Sequence, residues 1–222
     1  MRGLVKTALA LLPLVGLVSC IPIESDLRTV HYSTVGTENR PLGEGESIAI
    51  LVKSASDGLA ACVRDTLSHN SPSTRLLEAE EIMSAGGVAT ASHDKVLSDE
   101  DVSGLLAREE VQRLASERSL RYVFLIAGNT FESEGSWGCG GLACSGGSNH
   151  GSRAAAHVWD TASGRYLGEL AAASFGQTGM SGVFPIVLWS YAPTETEACK
   201  ALADNMSGFL ASGEARSDIG GE

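Results

Sequence analysis

Apolar and polar positions follow one another along this chain in blocks that predict strands and helices in alternation. Ser47–Lys53 is a short apolar, β-branched run between polar residues, which is typical of a buried strand. From Leu59 to Leu67 the apolar residues recur at helical spacing instead, and Asn70 ends that pattern. The same periodicities predict strands at 75–77, 122–127, 154–160 and 165–174, a strand or an apolar cover over the core at 183–189, and helices at 78–84, 98–119 and 195–210.

Three short motifs indicate where these elements begin and turn. Ser98 followed by Asp101, and Thr194 followed by Glu197, have the spacing of a capping box at a helix start. Asp160–Gly164 contains the residues that a hairpin turn requires, because Asp bonds its own backbone and Gly adopts positive φ. The two strands on either side of this turn are therefore expected to form a hairpin.

This order of elements predicts the fold class and the division of the chain. A strand, a helix and a second strand imply a crossover with parallel pairing, whereas the hairpin adds antiparallel strands. We expect an α/β (α+β) fold, a single domain at residues 47–212 with a mixed sheet covered by helices. Residues 20–46 are interpreted as a flexible tether, the Gly/Cys-rich stretch 133–151 as a loop, and residues 213–222 as a polar tail.

Residues 1–19 have the pattern of a secretory signal peptide. Arg2 and Lys6 provide positive charge ahead of an uncharged apolar run at Thr7–Val18, and small residues follow. A helix needs roughly 20 apolar residues to cross a bilayer, so this run is too short to span one. The pattern predicts export from the cytoplasm.

Leu17–Cys20 (LVSC) resembles the lipobox of bacterial lipoproteins. The resemblance implies cleavage before Cys20, acylation of its sulfur, and attachment to a membrane through the lipid. Ile21 stands where many lipoproteins of the inner membrane carry Asp, so the resemblance favours the outer membrane over the inner membrane. We therefore expect a lipid-anchored protein of the cell envelope.

Four further cysteines, Cys62, Cys139, Cys144 and Cys199, allow three disulfide pairings in an oxidising compartment. The favoured pairing joins Cys139 to Cys144 across a Gly-containing turn and Cys62 to Cys199 between predicted helices. The alternative is a metal site that uses Cys139, Cys144 and His150. Their spacing is looser than that of common zinc sites, and no second Cys or His pair completes it, so no metal is predicted.

Composition and motif content argue against several classes of function. The chain has 27 acidic and 16 basic residues in 222, a formal net charge of −11, and 43% of its residues are apolar. This acidity argues against nucleic acid as a partner, because phosphate binding requires clustered Lys and Arg. Near matches to dinucleotide-binding and hydrolase motifs in the Gly-rich stretch lack the strand and helix that those motifs require. No cofactor and no catalytic residue are therefore predicted, and the protein is not expected to be an enzyme.

Trp137 is the residue most suited to partner contact. It lies in the predicted Gly/Cys-rich loop, where an exposed aromatic ring can anchor a protein or a sugar. The functional hypothesis is a non-catalytic, membrane-anchored lipoprotein that binds an envelope protein as an assembly or regulatory module. Two alternatives stay open: a small-ligand or metal-binding enzyme that uses the Gly/Cys loop, and a surface-exposed antigen.

Three stretches resemble the small α/β domain of bacterial envelope proteins: Ser47–Lys53, Tyr122–Gly128, and Ala156–Gly168 with its Asp-x-x-(Ser/Thr)-Gly turn. Such domains occur in the curli-secretion lipoprotein, in outer-membrane lipoproteins that activate penicillin-binding proteins, and at the amino terminus of the Tol-Pal periplasmic protein. The resemblance covers about residues 47–210 and implies the fold rather than a particular function.

Overall fold

The computed structural model describes residues 19–24, 27–36, 39–54, 57–88, 97–141, 143–183 and 186–218. The strands there are β1 (Ser19–Glu24), β2 (Arg28–Ser33), β3 (Ser47–Ser54), β4 (Arg75–Leu77), β5 (Leu120–Glu132), β6 (Ser136–Gly140), β7 (Ala143–Asp160), β8 (Arg165–Val183) and β9 (Ile186–Tyr191). The helices are α1 (Asp57–Asn70), α2 (Ala79–Ala85), α3 (Asp99–Leu106), α4 (Glu109–Glu117) and α5 (Thr194–Ser212). In these segments no helix is both long and apolar enough to cross a membrane.

All the described strands belong to one mixed sheet. Its order is β1-β9-β8-β7-β5-β3-β4, with β2 also beside β8 and β6 also beside β7. β3 runs parallel to β4 and β5, whereas β7 runs antiparallel to both of its long neighbours, β5 and β8. The predicted fold class, a single α/β domain with a mixed sheet covered by helices, is confirmed.

The alternation of side chains along β5 divides the core between the two faces of the sheet. Tyr122 and Phe124 point to the first face, where α1 and α5 pack, and the Phe209 ring of α5 lies 5.1 Å from the Tyr122 ring. Val123 and Leu125 point to the second face, which α2, α3 and α4 cover. The predicted helices therefore bury both faces of the central strands.

The region 98–119, predicted as one helix, contains two. The capping box of Ser98 and Asp101 is present and starts α3 as expected. The chain leaves the helix at Arg108, whose ψ of 138° is extended, and α4 begins with Glu109 and Glu110. Two acidic residues are favourable in the first turn of a new helix, which the apolar periodicity alone did not reveal.

The interpretation of residues 20–46 as a flexible tether was wrong for the described residues, because two strands lie there. β2 pairs antiparallel with β8 from Arg28↔Phe175 to Ser33↔Leu170, and β1 pairs parallel with β9. The pairing uses backbone groups, so it requires no apolar periodicity in the added strand. The predicted signal peptide lies outside the described residues apart from Ser19.

The start of the polar tail, residues 213–218, is also ordered against the domain rather than frayed. The Arg216 backbone N–H donates to Asn205 Oδ1 at 2.9 Å. The Asp218 backbone N–H donates to the His31 carbonyl at 3.0 Å, and the His31 N–H donates back to Asp218 Oδ2 at 3.0 Å. The tail is held because these polar groups meet backbone partners on β2 and a side-chain partner on α5.

This contact predicts a loss of stability on acidification. Burial lowers the pKa of His31 below its ordinary 6.5, and the charge of Arg216 lowers it further, while Asp218 and Asp204 act in the opposite direction without reversing the net shift. The hydrogen bond from the His31 backbone lowers the pKa of Asp218 below 3.8. In both cases the unfolded chain binds more protons, so stability decreases as pH falls below about 6.5 for His31, and Asp218 adds to the loss only near pH 4 and below.

We expect the melting temperature to fall between pH 7 and pH 5, and His31→Gln to reduce that fall. Scanning calorimetry at both pH values measures it, with His69→Gln, an exposed position on α1, as the matched control. An equal fall in melting temperature for wild type and His31→Gln would contradict the assignment to His31.

Candidate functional site

β7 and β8 are long strands that change neighbours halfway along their length. The later part of β7, from His150 to Asp160, pairs with β5, whereas residues 143–147 pair with β6. The earlier part of β8 pairs with β2, and residues 179–183 pair with β9. The sheet thus continues beyond the helix-covered domain. We call this part the sheet extension: β6, residues 143–149 of β7, residues 176–183 of β8, β9 and β1.

The sheet extension corrects the prediction of a loop at residues 133–151. Every residue of β6 is exposed, so no apolar alternation marked it as a strand. On the facing strand β7, Gly146 allows close pairing rather than breaking it: a Cβ on Gly146 would lie 2.4 Å from the Ser136 carbonyl oxygen and 2.6 Å from Cε3 of Trp137. The predicted loop is a β-hairpin.

Trp137 lies on β6, opposite Gly146, and its ring covers that glycine. The side chain is nevertheless 52% exposed. One side of the ring therefore packs on the sheet, and the other side is exposed to solvent. An indole held on a strand loses little conformational freedom on binding, unlike an indole on a free loop.

The structure contains the two favoured disulfides. Cys139 and Cys144 lie directly opposite each other in the β6–β7 pairing, with Cα atoms 4.1 Å apart. Cys62 of α1 and Cys199 of α5 form the second, with Cα atoms 6.2 Å apart. A disulfide cannot supply thiolate ligands, so the alternative metal site with His150 loses two of its three ligands. Among the described residues, no group of three or more His, Cys, Asp or Glu side chains could hold a metal ion.

The backbone of Cys20 lies at the outer end of the sheet extension. Pairing across that end runs through Gly140, Ala143, Val183, Ile186 and Ser19. Cys20 follows Ser19 and pairs with Val187, so it shares this end with the last paired residues of β6 and β7 and of β8 and β9. A lipid on this residue would attach the domain by the end that is farthest along β7 and β8 from the helix-covered core.

Ser148, His150 and Glu132 form a cluster on the first face that the sequence analysis missed. Ser148 Oγ lies 2.9 Å from His150 Nε2, and Glu132 Oε1 lies 3.5 Å from the same nitrogen. A Ser-His-acid relay requires the carboxylate at the other ring nitrogen. These contacts are therefore not those of a relay. Ser148 and His150 are two residues apart on one strand, so their side chains lie on the same face. This was missed because the stretch was predicted to be a loop.

A cleft of about 440 Å³ adjoins this cluster, between β5, β7 and the start of α5. Ser152 Oγ and Thr194 Oγ1 are 3.0 Å apart at its buried side. Thr194 was predicted to cap α5, but Pro193 occupies the cap position and the Thr194 hydroxyl faces β7 instead. The start of α5 is therefore fixed to the sheet by a side-chain contact.

His157 and Trp159 of β7 belong to a cluster of packed and hydrogen-bonded side chains on the second face of the sheet. His157 stacks on Trp159 with a 20° angle between the rings, and the Trp159 indole donates to Ser103 of α3 at 3.1 Å. His157 Nδ1 lies 3.0 Å from Asp99 Oδ2, an ion-pair distance without hydrogen-bond alignment. Its Nε2 lies 3.7 Å from Glu169 Oε2. This cluster joins α3 to the second face of the sheet.

The fold and this site define an open mixed α/β sheet domain with a sheet extension, in which β6 is exposed and joined to β7 by a disulfide. No family model and no curated protein matches the chain. The chain is similar to some solved structures at low sequence identity and low TM-score. A PelC dodecamer from Paraburkholderia phytofirmans is 15% identical, covers 84% of this chain and 98% of that chain, and has a TM-score of 0.35.

Two further structures are similar at the same level. A protein described as a neuraminyllactose-binding hemagglutinin homologue from Helicobacter pylori is 6% identical, covers 82% of this chain and 94% of that chain, and has a TM-score of 0.44. Lipoprotein GNA1162 from Neisseria meningitidis is 16% identical, covers 59% and 83%, and has a TM-score of 0.31. These values assign neither a family nor a function, and the resemblance to curli-secretion and penicillin-binding-protein-activating lipoproteins stays a prediction.

Proposed function

We propose that the chain is a non-catalytic lipoprotein of the cell envelope whose sheet extension binds another envelope protein. The observation that supports this most is the position of Cys20 in β1, at the outer end of the extension. Two or three acyl chains on Cys20 would hold the domain on a membrane, whereas one chain binds only marginally. Ile21 after the lipidated residue favours the outer membrane.

Attachment to the membrane through lipid on Cys20 is the means by which the domain would meet its partner. A domain attached at the end of its extension meets membrane-associated partners at a raised effective concentration, so a modest interface suffices. The half-exposed Trp137 ring lies on the same extension, and the Cys139–Cys144 disulfide closes the hairpin that carries it. An aromatic ring on a constrained hairpin is suited to act as a binding anchor because little flexibility is lost on association.

Trp137→Ala is expected to weaken partner capture about tenfold or more without unfolding the domain, since truncating an anchoring aromatic side chain has effects of this size. The measurement is crosslinking of the anchored protein in intact cells, followed by mass spectrometry of the captured proteins. Tyr166→Ala is the matched control: its side chain is 47% exposed and lies at the opposite end of β8.

Capture of one dominant envelope protein by wild type and Tyr166→Ala, with reduced capture by Trp137→Ala, supports the proposal. If Trp137→Ala captures the same protein at the wild-type level, the contact surface is not centred on Trp137. If wild type captures no protein, the role as an interaction module is wrong.

A further inference from the structure

A pair of exposed phenylalanine rings lies on the second face of the sheet, away from Trp137. Phe131 of β5 and Phe175 of β8 both pair with Gly151 of β7, one from each side. The ring centroids are 5.9 Å apart with a 58° angle between the rings. Phe131 is 47% exposed and Phe175 is 37% exposed, which is unusual for large apolar side chains that contact each other.

Gly151 makes this arrangement possible. A Cβ at that position would lie 2.2 Å from Cζ and 2.3 Å from Cε2 of Phe131, so any larger residue would displace the ring. The Phe131 ring therefore lies over bare backbone at Gly151, and together with the neighbouring Phe175 ring it forms the floor of an open surface. We call this surface the aromatic platform.

Uncharged hydrogen-bonding groups border the aromatic platform on the side towards the sheet extension, and Arg28 of β2 borders Phe175 on another side. Asn149 and Gln177 pair across β7 and β8, two residues beyond Gly151 and Phe175, so strand alternation places their amides on the same face as the rings. Ser133 lies beside them and accepts a hydrogen bond from the Asn149 backbone N–H at 3.2 Å. With the two rings, His150 and Gly176 they line a depression of about 570 Å³, and its lining residues include no Asp, Glu, Lys or Arg.

We propose that the aromatic platform binds a neutral carbohydrate chain. A pyranose ring presents C–H groups on its faces and hydroxyl groups around its edge. The C–H face can stack on the Phe131 and Phe175 rings, while the Asn149 and Gln177 amides, each a donor and an acceptor, can pair with adjacent hydroxyls. The depression lies within the usual size range of small-molecule sites.

The lining of the depression itself holds no Asp, Glu, Lys or Arg, which favours a neutral sugar there over a nucleotide or an acidic glycan. Of the two nearby arginines on this face, Arg28 lies opposite Phe175 at the edge of the platform, and Arg153 is paired with Glu169. The openness of the platform along β7 and β8 suits an extended chain rather than an enclosed monosaccharide. This inference is independent of the proposed lipid anchor and of Trp137, because it uses a different face of the sheet.

The test is saturation-transfer NMR and titration calorimetry with the purified full chain. The probes are maltotetraose, cellotetraose and chitotetraose, which cover an α-glucan, a β-glucan and an amino-sugar chain. We expect wild type to bind at least one of them, with affinity reduced about tenfold or more by Phe131→Ala. Gln177→Ala, a change at an exposed position that leaves the core intact, is expected to weaken the same binding. Tyr166→Ala, equally 47% exposed, is expected to leave binding unchanged.

Three results would overturn the proposal. One is no saturation transfer to any of the three oligosaccharides. Another is equal affinity of wild type, Phe131→Ala and Gln177→Ala for a sugar that does bind. The third is transfer to a neutral tetrapeptide, Ala-Asn-Phe-Ala, but to no sugar, which would assign the platform to peptide binding instead.

Discussion

Replacing both Cys62 and Cys199 with Ala is expected to lower the free energy of unfolding by about 5 kcal/mol, from the chain-entropy estimate for a loop of this length. The disulfide joins residues 137 apart in sequence, and it links α1 to α5, the two helices that cover the first face. Its removal restores much of the conformational freedom of the unfolded chain while leaving an otherwise similar core.

The matched control is the double replacement of Cys139 and Cys144 with Ala. That disulfide spans only five positions, so the same estimate gives about 2 kcal/mol. Urea unfolding of both variants and wild type under non-reducing conditions measures the difference. Equal losses for the two variants, or a larger loss for the Cys139/Cys144 variant, would contradict the assignment of the main covalent link to Cys62–Cys199.

Cys20→Ala is expected to move nearly all of the protein from the membrane fraction to the soluble fraction. Each buried methylene of an acyl chain contributes about 0.8 kcal/mol, so the loss of two or three chains removes essentially the whole membrane affinity. Cell fractionation followed by immunodetection measures this distribution. The Cys139/Cys144 variant is the control, because it changes two cysteines of the same extension and should stay membrane-bound.

A Cys20→Ala protein that remains in the membrane fraction after a high-salt wash would show that something other than lipid on Cys20 holds it there. The proposed tethering mechanism would then be wrong, whereas the fold and the disulfides would be unaffected.

The helix-covered domain was largely predictable from periodicity. Ser47–Lys53 and Tyr122–Ala127 were predicted as buried strands because each is an apolar run bounded by polar residues. The structure has β3 and β5 there. The Asp160–Gly164 turn was predictable because its residue types are specific, and Gly164 does adopt a φ of 65°. Such signals reflect burial or the residue types of a turn, and both can be recognised in a short stretch of sequence.

The sheet extension was not predictable in the same way. β6 buries none of its residues, so its pairing leaves no apolar pattern, and glycines such as Gly146 are read as breaks. β2 was missed because it joins β8 through backbone hydrogen bonds. Strands of this kind form because a neighbouring strand lies beside them in the fold, and a single sequence does not show which strands are neighbours.

The candidate site residues likewise differ in whether a short stretch of sequence reveals them. The four cysteines were identified because thiols in an exported chain have few roles, and Trp137 because it is an isolated aromatic residue. The pair Phe131 and Phe175 lies 44 positions apart in sequence and meets only through the register of β5, β7 and β8 on Gly151. No local pattern could have brought those two residues together.

The central claim is that Cys20 begins the mature chain and carries lipid at the end of the sheet extension. The direct measurement is mass spectrometry of the amino-terminal peptide of protein purified from the membrane fraction. We expect a peptide that starts at Cys20 and carries two or three acyl chains. A peptide that starts elsewhere, or an unmodified Cys20, would contradict the claim.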